Sequence, residues 1–423
     1  MKLVVRKSQL SGFVRIPGSK SHTIRAAAIA SLAEGESRVR EPLLASDTVA
    51  AFDAYRLLGA EAVDEGDVLV QGVAGHPQIP DNVIDVGNSG TTLYIALASA
   101  ALVDGYSVFT GDDQIRRRPV QPLIDALNSL GASVKSTRDN GMAPIIVRGP
   151  LRGGRIKLDG SKTSQYLTSL LINCPLAQQE SVIEVENVTE KPYIEMTLQW
   201  LSGQKIEIEN DDFKRFRIPG GQSYAAFDKP IPADWSSATF FMCAAAITGS
   251  ELTLLGLDMN DSQGDKAVAD MLVKMGATIK PTPDGIKVSG GTLRAADFDL
   301  ADTPDALPAL AVTACFAEGE TRLYNVAQAR LKETDRISVM REELQKMGAD
   351  IEEMPDGLII RKSDLTASYV HGHADHRVIM ALGIAGLALS DETTIDTADA
   401  LSVTFPEFAS LMNSVGAHMS IID

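Results

Sequence analysis

Three short segments of this chain combine cations, hydroxyls and carboxylates at spacings that suit anion binding and proton transfer. PGSKSHTIR places Lys20 and Ser21 at a turn, with Arg25 four residues past Ser21, one helical turn on and on the same face. Helix capping accounts for a serine at such a turn, but not for a lysine and a same-face arginine at the positive end of a helix. GNSGTT follows, where Gly87 and Gly90 let a ligand approach the backbone, and then DDQIRRRP with Arg116, Arg117 and Arg118. Pro119 confines Arg118 to an extended conformation, which suits a positioned side chain. Arg116 and Arg117 also fit a solvated loop. In ARLKETDRISVMREELQKMGA, Lys332, Glu333 and Arg336 open a helix whose apolar positions run through Ile337, Met340, Leu344 and Met347. Two cations at a helix start oppose its dipole and point to a bound anion; a surface ion pair between Glu333 and Arg336 is the plainer alternative. HADHRV adds Asp375, His376 and Arg377. His371, His373, Asp375 and His376 have the residue types of a zinc site, but Arg377 in the same turn is unwelcoming to a cation, so the expectation is no metal. Ser236 and Ser237 read as helix caps.

Elements that position these segments repeat along the chain. The pair Gly-Ala (once Gly-Gln) closes an amphipathic helix at Gly59, Gly131, Gly203, Gly276, Gly348 and Gly416, with successive differences of 72, 72, 73, 72 and 68. Glycine just past a helix supplies a left-handed cap at no steric penalty, and six in phase mark an internal repeat. In phase with them, a strand ends in a polar loop and a helix rich in small residues follows, as in VRIPGSKSHTIRAAAIA and IPADWSSATFFMCAAA. The expected fold is therefore α/β, six βαβαββ-like units, three per domain. The seam falls near FDKPIPADWS: residues 14–230 form one domain, inserted into another made of residues 1–13 plus 231–423. Two chain crossings then form a hinge. A rigid ring or solenoid of six units is the alternative.

Totals narrow the function. The 423 residues are 44% hydrophobic and 22% charged, a globular balance, and the net charge of −17 repels nucleic acid. No apolar run reaches the roughly 18 residues of a membrane span. MKLVVRKSQL moves straight into strand-like alternation without the character of a targeting peptide. Cys174, Cys243 and Cys315 sit in apolar stretches and read as free thiols of a reducing cytoplasm.

At this point the segments resemble a known family. PGSKS, GNSGTT, RRRP, GSKTSQYLTSLL, KPYIEMTL, TPDALP, RLKETDR, HADHR and TFPEF are similar, in order from residue 17 to residue 407, to the 3-phosphoshikimate 1-carboxyvinyltransferases, or EPSP synthases. The resemblance implies an inside-out α/β barrel in two domains that close over the ligands, in a cytoplasmic monomer without metal or organic cofactor. It implies transfer of the enolpyruvyl group of phosphoenolpyruvate to the 5-hydroxyl of shikimate 3-phosphate, on the shikimate pathway to chorismate and the aromatic amino acids. Shikimate 3-phosphate would be held by Lys20, Ser21, Arg25, Thr163, Ser164, Gln165, Tyr193, Asp305, Gln328 and Lys332. Phosphoenolpyruvate would be held by Lys20, Gly90, Arg118, Gln165, Arg336 and Arg377. Asp305 and Glu333 would be the acid–base pair, with Asp305 ionised near Lys20 or Lys332, and Lys20 would reach both substrates. Three positions depart from the family pattern. Thr163 replaces a frequent serine and keeps its hydroxyl. Glu190 stands where a serine usually helps bind the substrate phosphate, and Val403 where many members have a lysine.

Rival readings each lack something. UDP-N-acetylglucosamine enolpyruvyl transferases carry a reactive cysteine before their Arg-Pro, which GDDQIRRRP lacks, and they have no KETDR. RNA 3′-phosphate cyclases share related repeats, but the acidity and 5% aromatic content of this chain disfavour RNA. A scaffold has no use for cations, hydroxyls and carboxylates at the same turn of several repeats.

Overall fold

A computed structural model describes all 423 residues. The chain divides into two compact units, Gly18–Ile231 and Met1–Pro17 with Pro232–Asp423. Each contains three four-stranded sheets. One sheet gives the pattern for all six. Ile84–Asp85 lies parallel to Tyr106–Thr110, which pairs antiparallel with Ile145–Arg148, itself antiparallel to Ser133–Ser136. A parallel pair needs a crossover, and the Gly90–Ala100 helix supplies it. A second helix, Gln121–Ser129, leads to the closing hairpin, completing strand–helix–strand–helix–strand–strand.

Two sheets explain where the chain crosses between units. Ser11–Arg15 runs directly into the Lys20–Leu32 helix, yet it pairs parallel with Glu251–Leu255. Asp228–Pro230 leads towards the Trp235–Thr248 helix, yet it pairs parallel with Glu36–Arg40. The leading strands of these two repeats are exchanged. Residues 14–17 therefore stay with the first strands, and the boundaries fall at 17/18 and 231/232, slightly later than the repeat pattern suggests. Lys2–Arg6 lies between Thr393–Ile395 and His418–Ile422, completing the last sheet from the other end of the chain.

Small side chains place the crossover helices inside. From His22 to Leu32 every residue of the Lys20–Leu32 helix is buried, and only close-packing residues tolerate neighbours on all sides. Gly90–Ala100 and Gln165–Asn173 join it in one core. Trp235–Thr248, Leu307–Cys315 and His376–Gly386 form the other. The sheets alternate instead: Glu36–Arg40 reads exposed, buried, exposed, buried, exposed, so one face covers the core and one meets water. Within each unit, helices inside and sheets outside is the inside-out arrangement.

The periodic glycines behave as caps at five of six positions, with φ between +94° and +112° at Gly59, Gly131, Gly276, Gly348 and Gly416. Gly203 is instead the last helical residue, and Lys205 two positions on takes φ +60°.

Candidate active site

Each unit gathers its polar side chains at the starts of its buried helices. In Gly18–Ile231, Lys20 opens the first helix and its Nζ donates to Asp47 Oδ2 at 3.2 Å, with Asp47 buried. Arg25, one turn on, is 2% exposed. Its guanidinium donates to Thr197 Oγ1 (2.9 Å), Ser21 O (2.9 Å), Thr168 Oγ1 (3.3 Å) and Tyr193 O (3.0 Å). All four acceptors are neutral, and burial pulls the Arg25 pKa down to about 10. A buried cation held only by neutral dipoles keeps its attraction for an anion undiminished.

Next to it, Ser164 precedes the Gln165–Asn173 helix. Gln165 Nε2 donates to Thr91 Oγ1 at 3.1 Å, tying this helix start to the Gly90–Ala100 helix. Arg118 is 8% exposed and extended (φ −74°, ψ 136°), as the following proline requires. Its guanidinium lies against Gly90, where an added Cβ would meet Nη1 at 2.4 Å. Gly87 has φ +55°, so the GNSGTT turn also uses a glycine for its backbone. Of the other two arginines, Arg116 pairs with Asp113 and Arg117 is exposed, which leaves Arg118 as the positioned member of the run. Gly90→Ala is accordingly expected to push the Arg118 guanidinium aside, which the crystal structure of the variant would show.

The second unit builds its cluster around Arg336, 1% exposed. Its Nε donates to Asp375 Oδ2 at 2.8 Å, Nη1 to Asp305 Oδ1 at 2.8 Å and Nη2 to Glu333 Oε2 at 2.5 Å. Arg377 Nη2 reaches the other oxygen of Asp305 at 3.0 Å. Burial alone would lower the Arg336 pKa, but Asp375, Glu333 and Asp305 raise it above its ordinary value. Burial opposes the charge on Asp375 as well, and Arg336 outweighs it, holding that carboxyl below the usual range. Asp375 caps the His376–Gly386 helix by accepting from Arg377 N at 2.9 Å. The ladder Asp375–Arg336–Asp305–Arg377 thus fixes two guanidinium groups and one shared carboxylate at the starts of three helices.

This geometry revises several expectations. The helix starts at Arg336 with Asp335 as its cap, so Lys332 and Glu333 precede it rather than open it. Glu333 does pair with Arg336, but in a buried cluster and not on the surface. Carboxylates of the unit itself, not only a ligand, answer the cation at that helix start. Asp305 is held by Arg336 and Arg377. Ser236 and Ser237 are not caps: Asp234 caps their helix and accepts from Ser237, while Ser236 donates to buried Asp265. Burial pushes the Asp265 carboxyl up to about 6, with Asp305 adding to the shift and Arg377 opposing it. Gln328 is buried in the Ala327–Leu331 turn, which packs against the Pro304–Ala306 turn of Asp305. Lys332 follows that turn, and Val403 ends the Ala398–Val403 turn. Of the residues weighed as zinc ligands, His371 pairs with Asp396, His373 with Glu343, and Asp375 with Arg336, while the His371 and His373 rings pack edge to face with centroids 4.3 Å apart. Glu342, Glu343 and His373 do converge, with the Lys346 ammonium on both glutamates.

Sequence reasoning missed Asp47, Thr168, Thr197 and Asp265. Thr168 and Thr197 each lie four residues after a residue already singled out (Ser164 and Tyr193), a same-face spacing that carried the signal. Asp47 had none, because a loop brings it to Lys20.

A model of the family described as EPSP synthase (3-phosphoshikimate 1-carboxyvinyltransferase) matches residues 4–412. The chain belongs to this family. A 3-phosphoshikimate 1-carboxyvinyltransferase of Ruminiclostridium cellulolyticum is 52% identical over 423 residues, covering 100% of both chains. One of Acetivibrio thermocellus is 53% identical over 421 residues, covering 99% of each. Among solved structures, EPSP synthase of Acinetobacter baumannii superposes with a TM-score of 0.83 at 28% identity, covering 99% of this chain and 100% of that one. No helix is long and apolar enough to cross a membrane.

Proposed function

We infer that this member of the EPSP synthase family transfers the enolpyruvyl group of phosphoenolpyruvate to the 5-hydroxyl of shikimate 3-phosphate, giving 5-enolpyruvylshikimate 3-phosphate and phosphate. The full-length identity of 52% to a 3-phosphoshikimate 1-carboxyvinyltransferase carries this reading. The roles of individual residues are our proposal, supported by the charge environment of each cluster.

Lys20, Ser21 and Arg25, with Thr163, Ser164, Gln165 and Tyr193, receive shikimate 3-phosphate. Arg25 is the reason to place an anion here, since its neutral partners leave a buried charge unanswered. Asp305, Gln328 and Lys332 serve the same substrate from the other unit, and Arg118 with Gly90, Gln165, Arg336 and Arg377 serve phosphoenolpyruvate.

In the addition step the 5-hydroxyl oxygen bonds to C2 of phosphoenolpyruvate, its proton passes to Asp305, and Glu333 delivers a proton to the methylene carbon C3. The product is a tetrahedral adduct. In the elimination step a carboxylate removes a proton from the new methyl group, the C2–O bond to phosphate breaks, and the leaving phosphate takes up a proton. Asp305 and Glu333 sit on adjacent nitrogens of one guanidinium. An anion arriving at Arg336 competes for it and favours the protonated form of a carboxyl beside it. Glu333 then becomes an acid only with phosphoenolpyruvate bound, which suits general acid catalysis near neutral pH.

The test is phosphate release. With phosphoenolpyruvate and shikimate 3-phosphate the purified protein is expected to release phosphate in step with formation of the enol ether. Release with UDP-N-acetylglucosamine and none with shikimate 3-phosphate would overturn the reading.

A further inference from the structure

Glu190 stands beside the start of the Gln165–Asn173 helix, and its surroundings give this buried carboxylate a purpose. It is 1% exposed and sits directly before the Lys191–Gly203 helix with φ +54°, a left-handed conformation that disfavours glutamate. Its Oε2 accepts the Ser164 N–H at 3.0 Å, the Ser164 hydroxyl at 2.8 Å and the Thr163 hydroxyl at 3.3 Å. Thr163 Oγ1 in turn accepts the N–H of Gln165 at 3.2 Å.

A hydroxyl carries one proton, and an ionised carboxylate only accepts. With Glu190 in place, the protons of Thr163 and Ser164 and the Ser164 N–H therefore all point at a carboxylate belonging to the protein. These donors belong to the cluster that the proposed function assigns to shikimate 3-phosphate. A phosphate dianion reaching them meets a like charge at hydrogen-bond range and lone pairs in place of protons.

We propose that Glu190 is a resident competitor for the phosphate donors of Thr163 and Ser164, a specificity-determining residue that weakens binding of the 3-phosphate. The proposal rests on the assignment of shikimate 3-phosphate to this cluster. Its consequence is catalytic as well as thermodynamic. The product keeps the same 3-phosphate, so a carboxylate ready to retake the donors speeds product release, a step that often limits turnover. Arg25 and Lys20 supply the attraction that the competitor opposes, so the site binds the phosphate without trapping it.

The test uses the full-length protein and two ligands that differ only in the phosphate. Binding of shikimate 3-phosphate is measured by calorimetry, and that of shikimate by inhibition, for the parent, Glu190→Gln and Glu190→Ser. Removing the charge is expected to tighten shikimate 3-phosphate by roughly tenfold while shikimate stays within about twofold. Retained shikimate binding certifies that each variant is folded, and the smaller serine covers a packing defect peculiar to glutamine. Unchanged or weaker shikimate 3-phosphate binding in a variant that still binds shikimate overturns the proposal. Ser164→Ala separates this from failure of the site assignment. A loss of shikimate 3-phosphate affinity there, with no gain in the Glu190 variants, sinks the Glu190 proposal alone. An unchanged affinity in Ser164→Ala sinks the site assignment and the proposal with it.

Discussion

Asp305→Asn is expected to lower turnover by roughly 10²–10⁴-fold, the contribution of a general base, while binding of shikimate 3-phosphate stays within a few-fold. Asparagine preserves the volume and one oxygen acceptor but removes the charge and the basic site. The surrounding structure should survive the change. Arg336 keeps Asp375 and Glu333 as partners, and Asp375 still caps its helix. Arg377 loses its ion pair at 3.0 Å, and an anion bound beside it would replace that partner. Single-turnover kinetics with saturating substrates isolates the chemical step from release, and calorimetry gives the binding arm. Near-normal turnover would remove Asp305 from the mechanism and leave Glu333 and solvent to do all the proton transfer.

How such a residue was legible in the sequence, and how others were not, follows from what each depends on. Lys20, Ser164, Asp305, Arg336 and Arg377 all lie at strand-to-helix turns of an internal repeat, and Arg25 lies one turn into the helix that Lys20 opens. The repeat is visible because cap glycines and small-residue helices are local requirements, fixed by backbone conformation and close packing. The exchange of Ser11–Arg15 and Asp228–Pro230 between sheets was not visible. Either strand satisfies the alternation of either sheet, and only long-range pairing decides between them. Electrostatic partners were the least legible part. Glu333 and Arg336 are three residues apart and could be paired on paper, but Asp375 reaches Arg336 from 39 residues away and Asp305 from 31. Counting cations at one helix start therefore overstated its net charge. Glu190 was visible as an exception, though its partners were hidden until the two helix starts met.

Lys20→Met tests the first of these turns and has the second large effect. Methionine keeps the length and apolar stem of the side chain while deleting the ammonium. Of the three N–H donors of that ammonium, Asp47 takes one, which leaves others to reach bound anions. We expect weaker binding of both substrates and a fall in turnover, because a charge in a water-excluded site is worth far more than one in bulk solvent. A complication is that Asp47 is 3% exposed and loses its ammonium, which can destabilise the fold by about 3 kcal/mol. The double variant Lys20→Met with Asp47→Asn removes that buried charge, so stability should recover in thermal unfolding while activity does not. Lys20→Arg separates charge from geometry. A planar guanidinium does not replace a compact ammonium between two anions, nor does it release a proton, and activity should stay close to that of the methionine variant. Full activity in Lys20→Arg would mean that Lys20 contributes charge alone, and its proposed position beside both substrates would have to be given up.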